Sequence, residues 1–323
     1  MSAVLYDELV RVPQQRSMPA SQFVVGGGGL LGRHVCEVLG GRLSERVRID
    51  WPDHARAGEQ LSSLGRFLAA QQGNWNLYWC AGLAVFHTGA DQVERERRQL
   101  SRLLAGIGDG GGPSKGAIFF ASSAGGAYAG SDTAPFTEFS PAVPVNPYGE
   151  AKLRLEEELS ALARSRGLPA VAARITNLYG PGQNLTKNQG LVSAIVKAQL
   201  TGEPLPLRAP LETTRDYIYA RDCARMAVAA VEAARVRTAG GDPYVCKIFA
   251  SGRPFRIEGL LTMAERLFDR PVSIVHEDAP GAANVDLTAE SRVWTDLGSS
   301  PFLGIEEGMR AVRADLRHRL ALG

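Results

Sequence analysis

The sequence predicts an α/β protein, a doubly wound parallel sheet joined to a smaller C-terminal lobe. Three observations carry this. Short apolar runs alternate with helix-length amphipathic stretches from Gln22 onward, the pattern of a parallel sheet covered on both faces. A glycine-rich turn follows the first of these runs. Beyond Tyr179 the alternation weakens and Pro and Gly become frequent, so the chain leaves the sheet for a second lobe. With 323 residues, 45% of them hydrophobic, there is apolar surface enough for one large core and a lesser one.

Strands are predicted at Phe23–Val25, Val47–Asp50, Leu77–Cys80, Ala117–Ser122 and Ala170–Ile175, with helices at 30–40, 58–71, 91–107 and 148–166. The helix ending near Arg166 carries its own stop signal, because Gly167 accepts a left-handed conformation and Pro169 cannot continue a helix. Residues 1–20 read as a tail, since Pro13, Gln14, Gln15, Ser17 and Pro19 offer little apolar surface to bury.

Composition excludes several classes of partner. Against 36 basic residues stand 34 acidic ones, a net charge of +2 that sets up no field for nucleic acid or an anionic membrane. Cys36, Cys80, Cys223 and Cys246 lie far apart with no CxxC pair, which fits a reducing cytosol and predicts no metal site. No apolar run approaches the roughly 20 residues that cross a bilayer, and the start is polar and Pro-interrupted, so the expected location is the cytoplasm.

The strand Phe23-Val24-Val25 runs into Gly26-Gly27-Gly28-Gly29-Leu30-Leu31-Gly32, in which Gly26, Gly29 and Gly32 form GxxGxxG ahead of a helix. A turn without side chains lets the backbone approach a pyrophosphate, and amides at a helix N-terminus meet its charge. Gly26, Gly29, Leu30, Leu31 and Gly32 are therefore predicted to hold a dinucleotide in a Rossmann-type arrangement. Asp50, 18 residues past Gly32, ends the second predicted strand, where a carboxylate accepts from adenine-ribose hydroxyls. It favours NAD over NADP, because it repels a 2′-phosphate. Arg48 and Arg56 lie near enough in sequence to leave NADP open, and Asp50 before Trp51-Pro52 also suits a plain turn.

Asn146-Pro147-Tyr148-Gly149-Glu150-Ala151-Lys152 opens a helix with a capping Asn and a first-turn Pro. Tyr148 and Lys152, four residues apart, project from one helix face, and an ammonium beside a phenol stabilises the phenolate as an acid/base. Such spacing by itself also describes a solvated surface pair. The strand Ile118-Phe119-Phe120-Ala121-Ser122-Ser123 ends in two hydroxyls at the carboxyl edge of the sheet, where ligands bind in such folds. Ser123 is taken as the one that shares the substrate oxygen with Tyr148.

In this order, with Cys80-Ala81-Gly82 after a strand, the motifs resemble those of the extended short-chain dehydrogenase/reductase family, that of UDP-galactose 4-epimerase and related sugar-nucleotide enzymes. The 25-residue interval from Ser123 to Tyr148 is similar to the family's. Arg174-Ile175-Thr176-Asn177-Leu178-Tyr179-Gly180-Pro181-Gly182-Gln183 resembles its RxxNxYGPGQ, and Thr214-Arg215-Asp216-Tyr217-Ile218-Tyr219-Ala220-Arg221-Asp222 its RDFIYVxD stretch. The resemblance implies a dinucleotide-binding Rossmann domain at 21–176 completed by 213–250, and a substrate lobe at 177–212 and 251–323. It implies Ser123, Tyr148 and Lys152 as catalytic and adds Ala81, Gly82, Tyr148 and Lys152 to the cofactor contacts. Ser123 and Asn177 would contact the substrate and Arg215 its diphosphate. It further implies a nucleotide-diphosphate sugar as substrate and a homodimer built on the helices near 91–107 and 148–166.

The chain also departs from that family. Only 29 residues separate Asp50 from Cys80, with no clear third strand and no adenine-contacting Asp. The helix from Asp91 to Ile107 is charge-rich, through Glu94, Arg95, Glu96, Arg97 and Arg98, and lacks the family's Asn-Val-x-Gly-Thr. Ala124-Gly125-Gly126 follows Ser123 where the dehydratases and decarboxylases place acids, which disfavours both eliminations, and Glu138 is too far along to substitute. The expected activity is NAD(P)-dependent oxidoreduction at a sugar carbon, first as a 4-epimerase, alternatively as a 4-ketoreductase of a 4-keto-6-deoxysugar nucleotide. A third reading is an inactive, NAD(P)-sensing binding protein.

Overall fold

Five β/α crossovers build the larger part of the molecule. The computed structural model describes residues 20–110, 114–187, 190–277, 286–298 and 301–321, so the predicted tail falls outside the described residues except for Ala20. In chain order come β1 (Ser21–Val25), α1 (Leu30–Leu39), β2 (Leu43–Val47), α2 (His54–Ala69), β3 (Trp75–Trp79), α3 (Ala90–Gly108), β4 (Gly116–Ser123), a short α4 (Ala124–Tyr128), α5 (Pro147–Arg166) and β5 (Ala170–Ile175). There follow β6 (Asn177–Tyr179), α6 (Leu191–Thr201), β7 (Leu205–Leu207), β8 (Thr214–Tyr219), α7 (Ala220–Arg237), β9 (Tyr244–Phe249), β10 (Pro254–Arg256), α8 (Ile257–Phe268), β11 (Ile274–His276), β12 (Asp286–Leu287) and α9 (Ile305–Ala321).

Six parallel strands form the main sheet in the order β2-β1-β3-β4-β5-β9. All residues of β3 and β5 are buried, as expected of central strands covered on both faces. Alternate residues divide between two cores. Phe23, Val25, Ile118 and Phe120 pack with α2, α3 and α5, whereas Val24, Ala117 and Phe119 pack with α1 and α7. The order reverses between β1 and β3, which opens a crevice at the carboxyl ends of these strands, the usual ligand position in such sheets.

The predicted second strand needs correction. It lies at Leu43–Val47, four residues before the expected start at Val47, and ends before Asp50. The displaced reading followed the apolar residues Val47 and Ile49. The real β2 is an edge strand with Ser44, Glu45 and Arg46 exposed, and edge strands carry charge rather than continuous apolar runs. Among the described residues no strand pairs with its outer side. Helix α2 also starts earlier than predicted, because the Asp53 side chain accepts from the Arg56 amide and caps it.

The remaining elements form a smaller assembly. β8 pairs with β6, β10 and β12, and β7 pairs with β11. Helices α6, α8 and α9 close over a core that includes Val192, Ile195, Leu260, Leu261, Met309 and Val312. Among the described residues no helix is long and apolar enough to cross a membrane.

Candidate active site

The glycine loop is shaped by close backbone contacts. Gly26 adopts φ +84°, and a side chain there would place Cβ 2.5 Å from the Ala81 amide nitrogen. At Gly32 a Cβ would stand 2.2 Å from the Gly26 carbonyl oxygen. Residues 26 and 32 must therefore be glycine for α1 to start directly against the turn and the Ala81 strand end. Gly29 caps α1 with no side-chain bond, leaving its first-turn amides to an external acceptor. This bare cradle fits a pyrophosphate, with Gly26 to Gly32 and Ala81-Gly82 as the residues that would hold it. Arg33 extends the loop towards the second lobe: its guanidinium reaches the Gly28 carbonyl at 3.4 Å and lies against Gly182.

Asp50 stands three residues beyond β2 rather than at its end. Its amide donates to Gln60 Oε1 at 2.9 Å, and its Oδ2 meets Arg56 Nη1 at 3.2 Å. The carboxylate predicted to meet the ribose already shares its charge with a guanidinium.

Ser123, Tyr148 and Lys152 are brought together by the packing of α4 on α5. A Cβ on Gly149 would lie 2.2 Å from the Gly126 carbonyl oxygen, so the helices meet backbone to backbone. Around Gly126 the Ser123 Cβ and the Tyr148 ring both come within 3.3 Å of where a side chain would begin. Ser123 Oγ accepts from the Gly126 amide at 3.0 Å, which sets its rotamer at the start of α4. Asn146 caps α5 by accepting from the Gly149 amide at 2.8 Å and donates to the Phe86 carbonyl at 3.0 Å. Lys152 Nζ donates to the Ala121 carbonyl at 2.7 Å and stands 5.7 Å from the Tyr148 ring centroid. Ser122 faces elsewhere, its hydroxyl donating to the buried Glu156 at 2.5 Å.

Asn177 and Arg215 lie on paired strands. β6 continues β5 past Thr176, and Asn177 is opposite Tyr217, two residues from Arg215 on β8. Asn177 donates to the Asp216 carbonyl at 2.8 Å, and Arg215 Nη1 to the Thr214 carbonyl at 2.8 Å. Because Ile175 is opposite Ser123, both strands leave the sheet at the same carboxyl edge as the Ser123 hydroxyl. Burial lowers the pKa of Arg215, with Tyr217 and Asp286 opposing. An anion there would favour its charged form.

Several supporting residues escaped the sequence reading. Glu96, one of the charged run on α3, accepts from the amides of Leu83 and Ala84 at 3.0 and 2.9 Å and anchors the loop after β3. Asp216, fully buried, accepts from Thr176 Oγ1, the Ser251 amide and hydroxyl, and the Arg253 amide. It ties β5, β8 and the turn after β9 together. Glu138 accepts from the Ile248 and Arg292 amides and the Ser291 hydroxyl, which accounts for it as a strut. The Gly126–Gly149 contact had a local signal, a glycine next to Tyr148 and another three residues after Ser123.

Comparison with known proteins follows the same lines. A model of the NAD dependent epimerase/dehydratase family matches residues 87–246, the segment that contains Ser123, Tyr148, Lys152, Asn177 and Arg215. The chain is 27% identical over 201 residues to the dTDP-4-dehydro-6-deoxyglucose reductase of Escherichia coli, covering 62% of this chain and 61% of the reductase. It is 26% identical over 187 residues to the dTDP-glucose 4,6-dehydratase of Neisseria gonorrhoeae, 54% of this chain and 51% of that one. It thus spans less than two thirds of either relative. Its fold superposes on MoeE5, solved with UDP-glucose and NAD, with a TM-score of 0.76 at 21% identity, over 93% of this chain and 100% of that one. The UDP-glucose 4-epimerase of Thermotoga maritima, solved with UDP-glucose, gives 0.73 at 22% identity, over 93% and 99%. Residues 87–246, just under half of the chain, thus match the NAD dependent epimerase/dehydratase family model, and the six-stranded parallel sheet gives the chain the fold of these solved structures.

Proposed function

We propose that the protein carries out NAD(P)-dependent oxidoreduction at a hydroxyl or keto carbon of a nucleotide-diphosphate sugar, as a 4-epimerase. The observation that supports this reading is the grouping of Ser123, Tyr148 and Lys152 around the α4–α5 contact, at the sheet edge that also carries the glycine loop. When bound, the nicotinamide ring supplies the hydride acceptor and donor. Tyr148 removes the proton from the C4 hydroxyl, and Ser123 holds that oxygen by a hydrogen bond. Lys152 supplies positive charge beside the phenol. Arg215 pairs with the diphosphate and Asn177 borders the sugar. In the epimerase the keto-sugar turns over in the site, and its C4 is reduced on the opposite face.

A second reading, 4-ketoreduction of a 4-keto-6-deoxysugar nucleotide with Tyr148 as proton donor, is favoured by the 201-residue alignment with the Escherichia coli reductase. Two assays separate them. Incubation with UDP-glucose and UDP-galactose, followed by NMR, is expected to interconvert the two without net change in the cofactor. Loss of reduced-nicotinamide absorbance with a 4-keto-6-deoxysugar nucleotide, and no interconversion, would replace the epimerase by the reductase. Cofactor binding without turnover in either assay would leave a sensing protein. Helices α3 and α5 pack side by side, and a second copy applied to them would give the homodimer proposed for this chain. Four free cysteines suit the cytoplasm as its compartment.

A further inference from the structure

Resting on the dinucleotide reading above, we propose that Arg46 forms a binding subsite for the 2′-phosphate of NADP(H), so that this chain takes the phosphorylated dinucleotide at least as well as NAD. The loop holds two glycines that its motif does not require, Gly27 and Gly28. Both lie under Arg46. A Cβ on Gly27 would stand 2.8 Å from Arg46 Cγ and 2.9 Å from its Nε, and one on Gly28 would stand 3.2 Å from Nη2. The aliphatic stem covers Gly27, which is buried, and the guanidinium ends over Gly28, which is exposed. Glycine at both positions makes the bed in which this arginine lies.

Its position follows from the sheet. Arg46 pairs in register with Val24, one residue before the strand end that feeds the glycine loop, and it belongs to an edge strand with room for a long side chain to fold back. Among the described residues no carboxylate or carbonyl accepts a hydrogen bond from its guanidinium. A fork of donors is thus held at the outer lip of a phosphate-binding turn without an acceptor. The adjoining carboxylate opposes an incoming phosphate less than the sequence suggested, because Arg56 sits 3.2 Å from Asp50. The segment after β2 thus sets a second guanidinium, that of Arg56, against this carboxylate. A 2′-phosphate brings a tetrahedral set of acceptor oxygens and close to two negative charges, and the planar fork of a guanidinium binds two of those oxygens with parallel bonds. The arginines nominated from sequence, Arg48 and Arg56, are not those over the loop.

Equilibrium dissociation constants, measured by calorimetry for NAD, NADP, AMP and adenosine 2′,5′-bisphosphate, test this without any turnover. The wild-type chain is expected to bind NADP at least as tightly as NAD, and the bisphosphate more tightly than AMP. Arg46→Ala should weaken both 2′-phosphorylated ligands about ten- to a hundredfold, the loss of one charge-assisted pair, with NAD and AMP unchanged as the control for an intact loop. Wild-type preference for NAD, or equal weakening of all four ligands by Arg46→Ala, overturns the subsite while leaving the dinucleotide reading in place. Failure of the wild type to bind either dinucleotide overturns both.

Discussion

Glu156 and Arg174 form a buried ion pair directly behind Ser122, with Arg174 Nη2 2.7 Å from Glu156 Oε2 and Nε within 3.1 and 3.2 Å of the two carboxylate oxygens. Their side chains are 6% and 10% exposed. Ser122 donates to the same carboxylate, and Arg174 Nη1 donates to the Tyr128 hydroxyl at 2.7 Å, which in turn donates to the Thr137 carbonyl. Burial works against the charge of Arg174, and the Glu156 pair outweighs it, so its pKa stands above the ordinary value. Glu156 lies one helical turn beyond Lys152, itself one turn beyond Tyr148. The pair thereby fixes how α5 presents both groups to the end of β4.

Removal of one partner leaves the other charged in the interior. Glu156→Gln is expected to cost about 3–5 kcal/mol in urea unfolding, whereas a Glu156→Leu, Arg174→Met double variant should recover most of that loss. A single-variant cost under about 1 kcal/mol, the worth of an exposed pair, would show that the two charges are not coupled in solution.

The two serines at the end of β4 should separate by readout. Ser123→Ala is expected to lower turnover with little change in stability, since among the described residues its hydroxyl hydrogen-bonds only to the Gly126 amide. Ser122→Ala should instead cost about 1–3 kcal/mol of stability by taking a donor from a buried carboxylate. Unfolding curves beside rates settle the assignment, and a reversed pattern would move the proposed reactive hydroxyl to Ser122.

Tyr148→Phe is expected to reduce turnover about 10²- to 10⁴-fold, the usual worth of a positioned acid/base, while dinucleotide affinity survives. Retained turnover in stopped assays would mean that another group moves the proton.

Backbone contact between α4 and α5 makes Gly149 irreplaceable. Gly149→Ala would put Cβ 2.2 Å from the Gly126 carbonyl oxygen and should cost about 1–3 kcal/mol as the helices separate. Gly125→Ala, which meets nothing within 4 Å, is the matched control with unchanged thermal midpoint. Equal midpoints for the two variants would refute the contact.

Alkaline pH should unfold the protein through its tyrosines. Burial raises the pKa values of Tyr78, Tyr179, Tyr217 and Tyr244, and pushes Tyr128 up to about 12 with Arg174 opposing. These phenols ionise near pH 10 in the unfolded chain but stay protonated in the folded one. Above about pH 10 the folded state therefore binds more protons than the unfolded state, and stability falls as pH rises. Their contribution is fully present below that pH, and that of Tyr128 is lost on passing about 12. Urea midpoints across this range, read with phenolate absorbance, should decline together; a flat midpoint would show the rings to be solvent-accessible.

Local rules made much of the architecture legible. The limits of β5 were read to the residue, because an apolar run, interrupted only by Arg174 and preceded by Gly167 and Pro169, is its own signal. α5 was read to within one residue for a similar reason: the Asn146 cap, Pro147 and Gly167 mark its ends. β2 was misplaced, since an edge strand need not be apolar and its pairing with Phe23–Val25 is invisible locally.

What the sequence by itself determined is the alternation of elements, the glycine turn and the Tyr148–Lys152 spacing, all governed by the strand and helix periods of neighbouring residues. Tertiary structure alone decided which serine turns inward to Glu156, that Glu96 anchors the Leu83–Ala84 loop, and that Arg46 lies across Gly27 and Gly28. Each of these depends on side chains from different elements meeting, 34 residues apart for Ser122 and Glu156. No local period encodes such contacts; they exist only once the sheet order has brought the strand ends and helices to one edge.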